Sequence, residues 1–323
     1  MEGGAAAVDR RAVLRGLGAL GALALLPACS SPFAGTRLTI AAGGTEGVYF
    51  NLGQALAEAW QQELGLTGRP EVLATAGSVD NLARLASGAA DVVFSQVDTA
   101  ADQLERSAPG DPRAPRALTR IYDDVLHVVV PAASPVTSLT GLRGARVSVG
   151  APDSGVFVIA QRLLEVVGLS PERDFQAVQL GINDSIDALA DGRIDAFFWS
   201  GGLPTRGVSA LSETLPIRLL NLEDAIQAVR DVYPVYAAGT VPAATYGIPE
   251  PVTSLLVRNF LLVPAEMSDD LAGALVRALF EAQPQLAAAS PAALTIDLRA
   301  AIGTQPVPLH PGAERFFRVE KAS

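Results

Sequence analysis

The chain is poor in the side chains that do most protein chemistry. Of its 323 residues one is cysteine, two are histidine and 6% are aromatic, and Lys321 is the only lysine. A single cysteine, Cys29, excludes an internal disulfide. A lone lysine at the end of the chain excludes a Schiff-base or cofactor-bearing lysine anywhere else. Neither His127 nor His310 has neighbours at metal-ligand spacing, so no metal and no cofactor is expected. No apolar run after Ala28 reaches the ~20 residues that a membrane-spanning helix needs. Positive charge is scarce as well. The net charge of −10 argues against nucleic acid and against an anionic membrane face as partners.

What is present is apolar and able to fold. Hydrophobic residues make up 49% of the chain and charged residues 18%, enough for two ordinary cores and too apolar for general disorder. Arg10-Arg11 is followed by a small, apolar run from Gly16 to Leu26 and then by "LPAC". That layout is a bacterial export signal ending in a lipobox, with Cys29 as the lipidated first residue. "DRRAVLRG" also resembles a twin-arginine export motif. The expected organisation is a signal peptide over 1–28, a tether over 29–36, and a body that touches the membrane only through its lipid.

Beyond the signal, strand and helix patterns alternate, which predicts α/β units on a largely parallel sheet. "RLTIAA", "PEVLAT" and "DVVFSQ" read as strands, separated by helices over Val48–Leu64 and Val79–Ser87. After a link over Ala108–Arg116 comes "IYDDVLHVVVPA", and then the order begins again. "ARVSVG", "QAVQL" and "IDAFFWSG" alternate with helices over Val156–Val167 and Ser185–Ala190. The two rounds also share residues: Gly47-Val48-Tyr49 answers to Gly155-Val156-Phe157, and "LASGAADVVF" to "LADGRIDAFF". Two lobes of one architecture are therefore expected, lobe I over 37–130 and lobe II over 131–249. From Val252 a strand-like "TSLLVRNFLLV" and a helix over Asp269–Glu281 return the chain to lobe I across 250–323. Two crossings make a hinge, with the ligand in the cleft between the lobes.

The loop Gly43-Gly44-Thr45-Glu46-Gly47 lies between a strand and a helix, as a phosphate-binding turn does. It has no lysine for a P-loop and the wrong glycine spacing for a dinucleotide fingerprint. What remains is a helix N-terminus, which favours an anion through its free N–H groups and its dipole. "GAPDSGVF" offers the same device in the second lobe, and two such ends across a cleft suit a carboxylate. Ser78 either caps its own helix or faces the ligand. Trp199 either stacks on a ligand or belongs to the core, and His127 reads as a core or hinge residue. Asp123-Asp124 and Glu223-Asp224 read as solvated faces. Ser154 has no nucleophile-elbow glycines, since Pro152 and Val156 occupy those places. No enzyme is expected.

Taken together, "GGTEGVYFNLG", "GSVDNLARLASGAADVVFSQVD", "GAPDSG", "DGRIDAFFWSGGLP" and "PVPLHPGAERFF" resemble the TAXI-type solute receptors of tripartite ATP-independent periplasmic (TRAP) transporters. The resemblance runs from about Leu38 to Phe317. It implies a type II periplasmic-binding-protein fold and a monomer that closes on a small organic anion and delivers it to a TRAP membrane permease. Dicarboxylates, keto acids and glutamate-like amino acids are the ligands it implies. Carried over by position, the contacts are Gly44, Thr45, Val48, Tyr49, Ser78, Asn81, Gln96 and Asp98 in lobe I, with Ser154, Gly155, Gly201, Gly202 and Pro204 in lobe II. Glu46 stands where the family has a small residue, and Ala42 and Val156 stand where it often has threonine. If the ligand carries an ammonium group, Asp98 or Glu46 is its expected partner. A sensory receptor of the same fold, read by a membrane kinase, is the alternative function.

Overall fold

The computed structural model describes residues 31–171 and 173–321. The export signal over 1–28 and the lipidation site at Cys29 lie outside the described residues. Residues 31–36, the described part of the expected tether, lie against the body: the Ser31 hydroxyl donates to the Leu64 carbonyl, and the Thr67 amide donates to Ala34 O at 3.0 Å.

The chain runs β1 (Thr39–Ala41), α1 (Val48–Glu63), β2 (Glu71–Leu73), α2 (Ser78–Ser87), β3 (Val92–Gln96), α3 (Val97–Arg106) and β4 (Pro115–Pro131). The order repeats as β5 (Arg146–Ser148), α4 (Gly155–Val166), β6 (Gln176–Val178), α5 (Ile182–Ala190) and β7 (Ala196–Gly201). Then follow α6 (Arg206–Thr214), β8 (Ile217–Leu219), α7 (Glu223–Val232), β9 (Ala237–Val241) and β10 (Val252–Pro264). Helices α8 (Asp269–Glu281), α9 (Gln283–Ala289), α10 (Leu298–Ala301) and α11 (Pro311–Glu320) end the chain.

One sheet with the order β2-β1-β3-β10-β4-β7-β5-β6 joins both rounds. Within each round the three short strands are parallel, as right-handed β-α-β units require. The long strands β4 and β10 lie between them, antiparallel to each other and to the strands they meet. Strand β4 pairs with β10 from Pro115 to Val125 and with β7 from Val125 to Val129. Strand β10 pairs with β9 over Val252–Leu256 and with β3 over Asn259–Leu262. Each long strand thus has one half in each lobe, which makes the two crossings anticipated from sequence. The link over Ala108–Arg116 is shorter than expected, because Pro115 and Arg116 already pair with Pro264 and Val263.

Helical spacing explains the packing. Leu52, Leu56 and Trp60 recur every four residues on α1 and are all buried. They meet α8, where the Trp60 indole donates to Leu275 O at 3.1 Å. A second cluster is shared between the lobes, joining Leu82 and Leu85 of α2 to Ile159 and Leu163 of α4. Helices α3, α6 and α7 were not anticipated. They are strongly amphipathic but polar on average, and none has a side-chain hydrogen bond from its N-cap residue.

Asn81 does structural work at the end of the first sheet half. It is fully buried, its amide donates to Ala42 O at 2.6 Å and Phe94 O at 2.8 Å, and it accepts from the Thr75 hydroxyl at 2.6 Å. It ties α2 to the loop after β1 and to β3. Asn81→Ala would leave two buried carbonyls without this donor, and should lower the unfolding free energy by about 1–3 kcal/mol in urea titrations. A change below ~0.5 kcal/mol, the size of an ordinary surface effect, would contradict this role.

Candidate functional site

Parallel strands put their carboxyl ends, and so the N-termini of the helices that follow, on one side. Here the two lobes turn those sides toward each other. Four helix N-termini line one cavity: α1 at Gly47-Val48, α2 at Gly77-Ser78, α4 at Ser154-Gly155 and α5 at Gly181-Ile182. Each carries the equivalent of about half a positive charge. The cavity offers about 120 Å³ to the centre of a water molecule, which suits a small organic ion better than a nucleotide. Tyr49, Tyr122, Phe198 and Trp199 supply its apolar and aromatic wall. Among the described residues lining it there is no Lys, Arg or His; Asp124 is the only carboxyl.

The floor is formed where the long strands cross. Asp124 on β4 is 2% exposed, and its Oδ2 accepts from the Gln96 amide at 2.9 Å and from the Ser200 hydroxyl at 3.3 Å. The same Gln96 amide donates to Ser200 Oγ at 2.6 Å, which joins β3 of lobe I to β7 of lobe II. Tyr49 stacks on Phe94 with ring centroids 5.0 Å apart and donates its hydroxyl to Asn259 Oδ1. Burial pushes the Asp124 carboxyl from its ordinary 3.8 up to about 7, against the lowering effect of Gln96, Asn259 and Ser200. The sequence reading placed Asp123-Asp124 on a solvated face. Only Asp123 lies on that side, paired with Arg120, because neighbours on a strand point to opposite faces.

The lobes touch at both rims. On one side the Arg206 guanidinium donates to Glu46 Oε2 at 2.5 Å. On the other, Arg162 of α4 donates to Asp102 at 2.7 Å, and Tyr236 donates to Asp98 Oδ2 at 2.6 Å. Between them the Asp80 amide donates to Asp153 O at 2.9 Å. Contact is so close that a Cβ on Gly155 would lie 2.1 Å from Gln96 Oε1. Gly77, at φ +129, lets the start of α2 approach Ser154 with no side chain between.

Of the residues carried over from the resemblance, Gly44, Val48, Tyr49, Ser78, Gln96, Ser154, Gly155 and Gly201 line this cavity. Thr45, Asn81, Asp98, Gly202 and Pro204 do not. Thr45 and Pro204 are exposed, and Gly202 is buried against Tyr122 and Ala292. Asn81 is spent on the backbone, as above. Asp98 sits one residue into α3, and the helix turns it away to Tyr236 and Arg162. Glu46 is engaged by Arg206 at the rim, so neither expected ammonium partner faces the cavity. Ser78 does not cap its helix, which Gly77 begins; its hydroxyl accepts from the Gln96 amide N–H of the backbone at 3.1 Å. Ser154 is the cap of α4, accepting from Phe157 N at 3.1 Å and donating to Ala151 O at 2.7 Å. Sequence reasoning missed Thr75, Tyr122, Asp124, Ile182 and Ser200. Only the matched position of "GIND" after the second lobe's β6, opposite "GSVDN" in the first, could have pointed to Ile182.

His127 is a buried core residue, with Nδ1 2.7 Å from Val125 O and Nε2 3.1 Å from the Tyr246 hydroxyl. Burial lowers its pKa to about 4. His310 caps α11 through Gly312 N at 3.2 Å. Among the described residues no group of three or more His, Cys, Asp or Glu could hold a metal ion, and no helix is long and apolar enough to cross a membrane.

Asp124 and His127 act on stability in opposite directions. A carboxyl with a raised folded pKa stabilises fully below about pH 4, and that contribution is lost as pH rises through about 7. A histidine with a lowered folded pKa destabilises as pH falls from 6.5 through about 4. The two slopes offset each other between about pH 4 and 6.5. Asp124→Asn should therefore raise the unfolding free energy by roughly 2–4 kcal/mol at pH 8 and by little at pH 4. Urea melts at both values check this, and an equal gain at both would contradict a buried, ionising Asp124.

Solved structures resemble this chain across most of its length. A periplasmic transporter superposes with a TM-score of 0.53 at 16% identity, covering 88% of this chain and 93% of that one. A Xanthomonas citri protein bound to ATP gives 0.51 at 16% identity, covering 88% and 96%. A Bordetella bronchiseptica RB50 protein gives 0.50 at 21% identity, covering 85% and 83%. At these identities the likeness is one of fold, and the fold is the two-lobed α/β architecture of periplasmic binding proteins. The NMT1-like family matches residues 40–320, and the chain belongs to that family.

Proposed function

We propose that this protein is an extracytoplasmic solute-binding receptor that captures a small organic anion and hands it to a membrane permease of the TRAP type. The observation that carries the reading is the convergence of four helix N-termini, two from each lobe, on one small cavity. Their N–H groups and dipoles supply positive potential without a cationic side chain, so an anion is attracted without being held irreversibly. The ligand mechanism is closure, with lobe I taken as about 37–130 plus the return over 250–323 and lobe II as 131–249; β4 and β10 run through both lobes and would carry the hinge. Of the carried-over residues, the eight that line the cavity are proposed as ligand contacts. A lipid on Cys29 would hold the receptor at the membrane surface as a monomer.

Two measurements test the reading. In a thermal-shift screen against monocarboxylates, dicarboxylates, keto acids and amino acids, saturation at a hundred times Kd stabilises the native state by ~2.7 kcal/mol, which should raise Tm by several degrees. Trp199 in the cavity wall should report the same binding by fluorescence, while Trp60 is buried in the lobe I core. Gly155→Ala puts a methyl into Gln96 and should hold the lobes apart, weakening the same ligand by about tenfold or more while leaving a cooperative melt. No shift with any anion, or unchanged affinity in Gly155→Ala, would contradict the proposal.

A further inference from the structure

The side chains of the cavity have few donors left for a polar ligand. Among the described residues that line it, each side-chain donor is already turned to another group of the protein. The Tyr49 hydroxyl donates to Asn259 Oδ1, Thr75 to Asn81 Oδ1 at 2.6 Å and Ser154 to Ala151 O at 2.7 Å. Gln96 and Ser200 donate to Asp124, and the Tyr122 hydroxyl is turned to the same carboxyl. The Ser78 hydroxyl faces that of Tyr49. The Trp199 indole N–H, the one polar atom of its ring, donates to Thr205 Oγ1 at 3.0 Å. A carbonyl or hydroxyl on the ligand would have to displace one of these bonds, with little net gain.

What the wall offers instead is hydrocarbon and aromatic ring. Tyr49 and Tyr122 of lobe I meet edge to face with centroids 6.2 Å apart, and Phe94 backs Tyr49. Trp199 of lobe II is partly exposed although its strand lies inside the sheet. Its ring reaches across to α1, ending 3.8 Å from the place a Cβ on Gly47 would take. Its direction is fixed from behind: Thr205 donates its hydroxyl to Gly202 O at 2.9 Å and its amide to the Tyr246 hydroxyl at 2.7 Å. Gly201 leaves room for the indole, since a Cβ there would lie 2.5 Å from Nε1. Val48, Val156 and Ile182, in the first two positions of α1, α4 and α5, add aliphatic surface beside the N–H groups of those helices. The cavity volume of about 120 Å³ compares with the ~150 Å³ of an apolar cavity that takes up benzene, so one ring fits.

We infer that the ligand is an aromatic monocarboxylate, its ring held against Trp199 and the Tyr49–Tyr122 pair and its carboxylate at the helix N-termini. This rests on the receptor reading above and narrows its broad class of small anions to one. A ring buried here leaves water for apolar surface and for aromatic edges and faces. A dicarboxylate would set its second charge against the wall, where Asp124 is the only charged side chain and has the same sign. An α-amino acid carries its ammonium beside its carboxylate, and so among the positive ends of the helices. Specificity thus comes from rejecting both of these classes as well as from attracting the ring.

The test is a calorimetric panel on the wild-type protein that separates ring from charge: benzoate, phenylacetate, cyclohexanecarboxylate, acetate, benzyl alcohol, succinate and phenylalanine. Benzoate or phenylacetate should bind about 10- to 100-fold more tightly than acetate, the gain expected for burying one ring. The same aryl acid should bind about tenfold or more above succinate, phenylalanine and benzyl alcohol. Its lead over cyclohexanecarboxylate should be about three- to tenfold, and Trp199→Leu should narrow that lead to less than about twofold. A thermal melt establishes that the variant folds, and the wild-type panel decides without it. Tighter binding of succinate or phenylalanine, equal binding of acetate or cyclohexanecarboxylate, or an unchanged lead in a cooperatively melting Trp199→Leu would overturn the aryl class and leave the anion receptor standing. Equal binding of benzyl alcohol would remove the need for a carboxylate, and both readings with it. Binding of no member of the panel, together with no shift for any anion in the thermal screen, would likewise take down both.

Discussion

Everything in this molecule follows from the antiparallel pairing of β4 with β10, the two strands that belong to both lobes at once. Their ladder holds two parallel half-sheets in a single sheet while reversing the direction in which each half presents its helices. Without that reversal the strand ends of lobe I and lobe II would not face each other. With it, four helix N-termini meet around one cavity, most tightly at Gly155, where a Cβ would run into Gln96 Oε1. The strands also bring the hinge and the cavity floor to the same place. Asp124 stands on β4 next to Val125, the residue at which that strand passes from β10 to β7.

That placement couples chemistry to motion. Gln96 and Asp124 stand in lobe I and Ser200 in lobe II, so the two hydrogen bonds of Ser200 bridge the lobes. At the rims, Glu46–Arg206 is largely exposed and contributes little by itself, since such pairs are screened by salt. The opposite rim is different: Asp98 is buried, with Tyr236 and Arg162 as its partners, and burial raises its pKa against their pull. One rim is thus a weak, salt-sensitive contact and the other a buried network. The proposed opening would part the exposed rim first.

Much of the framework was legible in the sequence because it is carried by local signals. The β-α-β-α-β order of each lobe, the echo between Gly47-Val48-Tyr49 and Gly155-Val156-Phe157, and the return of the chain after Val252 all rest on periodicity and glycine turns. The glycine loops were correctly placed at helix starts because a strand end followed by an apolar helical stripe has few other geometries. Side-chain direction was not legible. Asp98 follows Gln96 by two residues, yet a helix begins at Val97 and carries it to the back of the cavity. Asn81 carries an amide that suits a ligand, but it meets two carbonyls of its own lobe first. Asp124 looked like half of a solvated acidic pair, and its burial depends on Gln96, Ser200 and Asn259, which arrive from distant parts of the chain. No local pattern encodes that meeting.

The central claim is that helices of both lobes grip one anion, and backbone amide shifts test it most directly. An ¹H–¹⁵N titration with an organic anion that raises Tm should move the amides of Val48 and Tyr49, of Gly155 and Val156, and of Ile182 together, along one binding curve. Shifts in both lobes with a single Kd are the predicted result. Shifts confined to one lobe, or centred on the outer hollow beside Phe157, Gln161 and Glu165, would contradict the account.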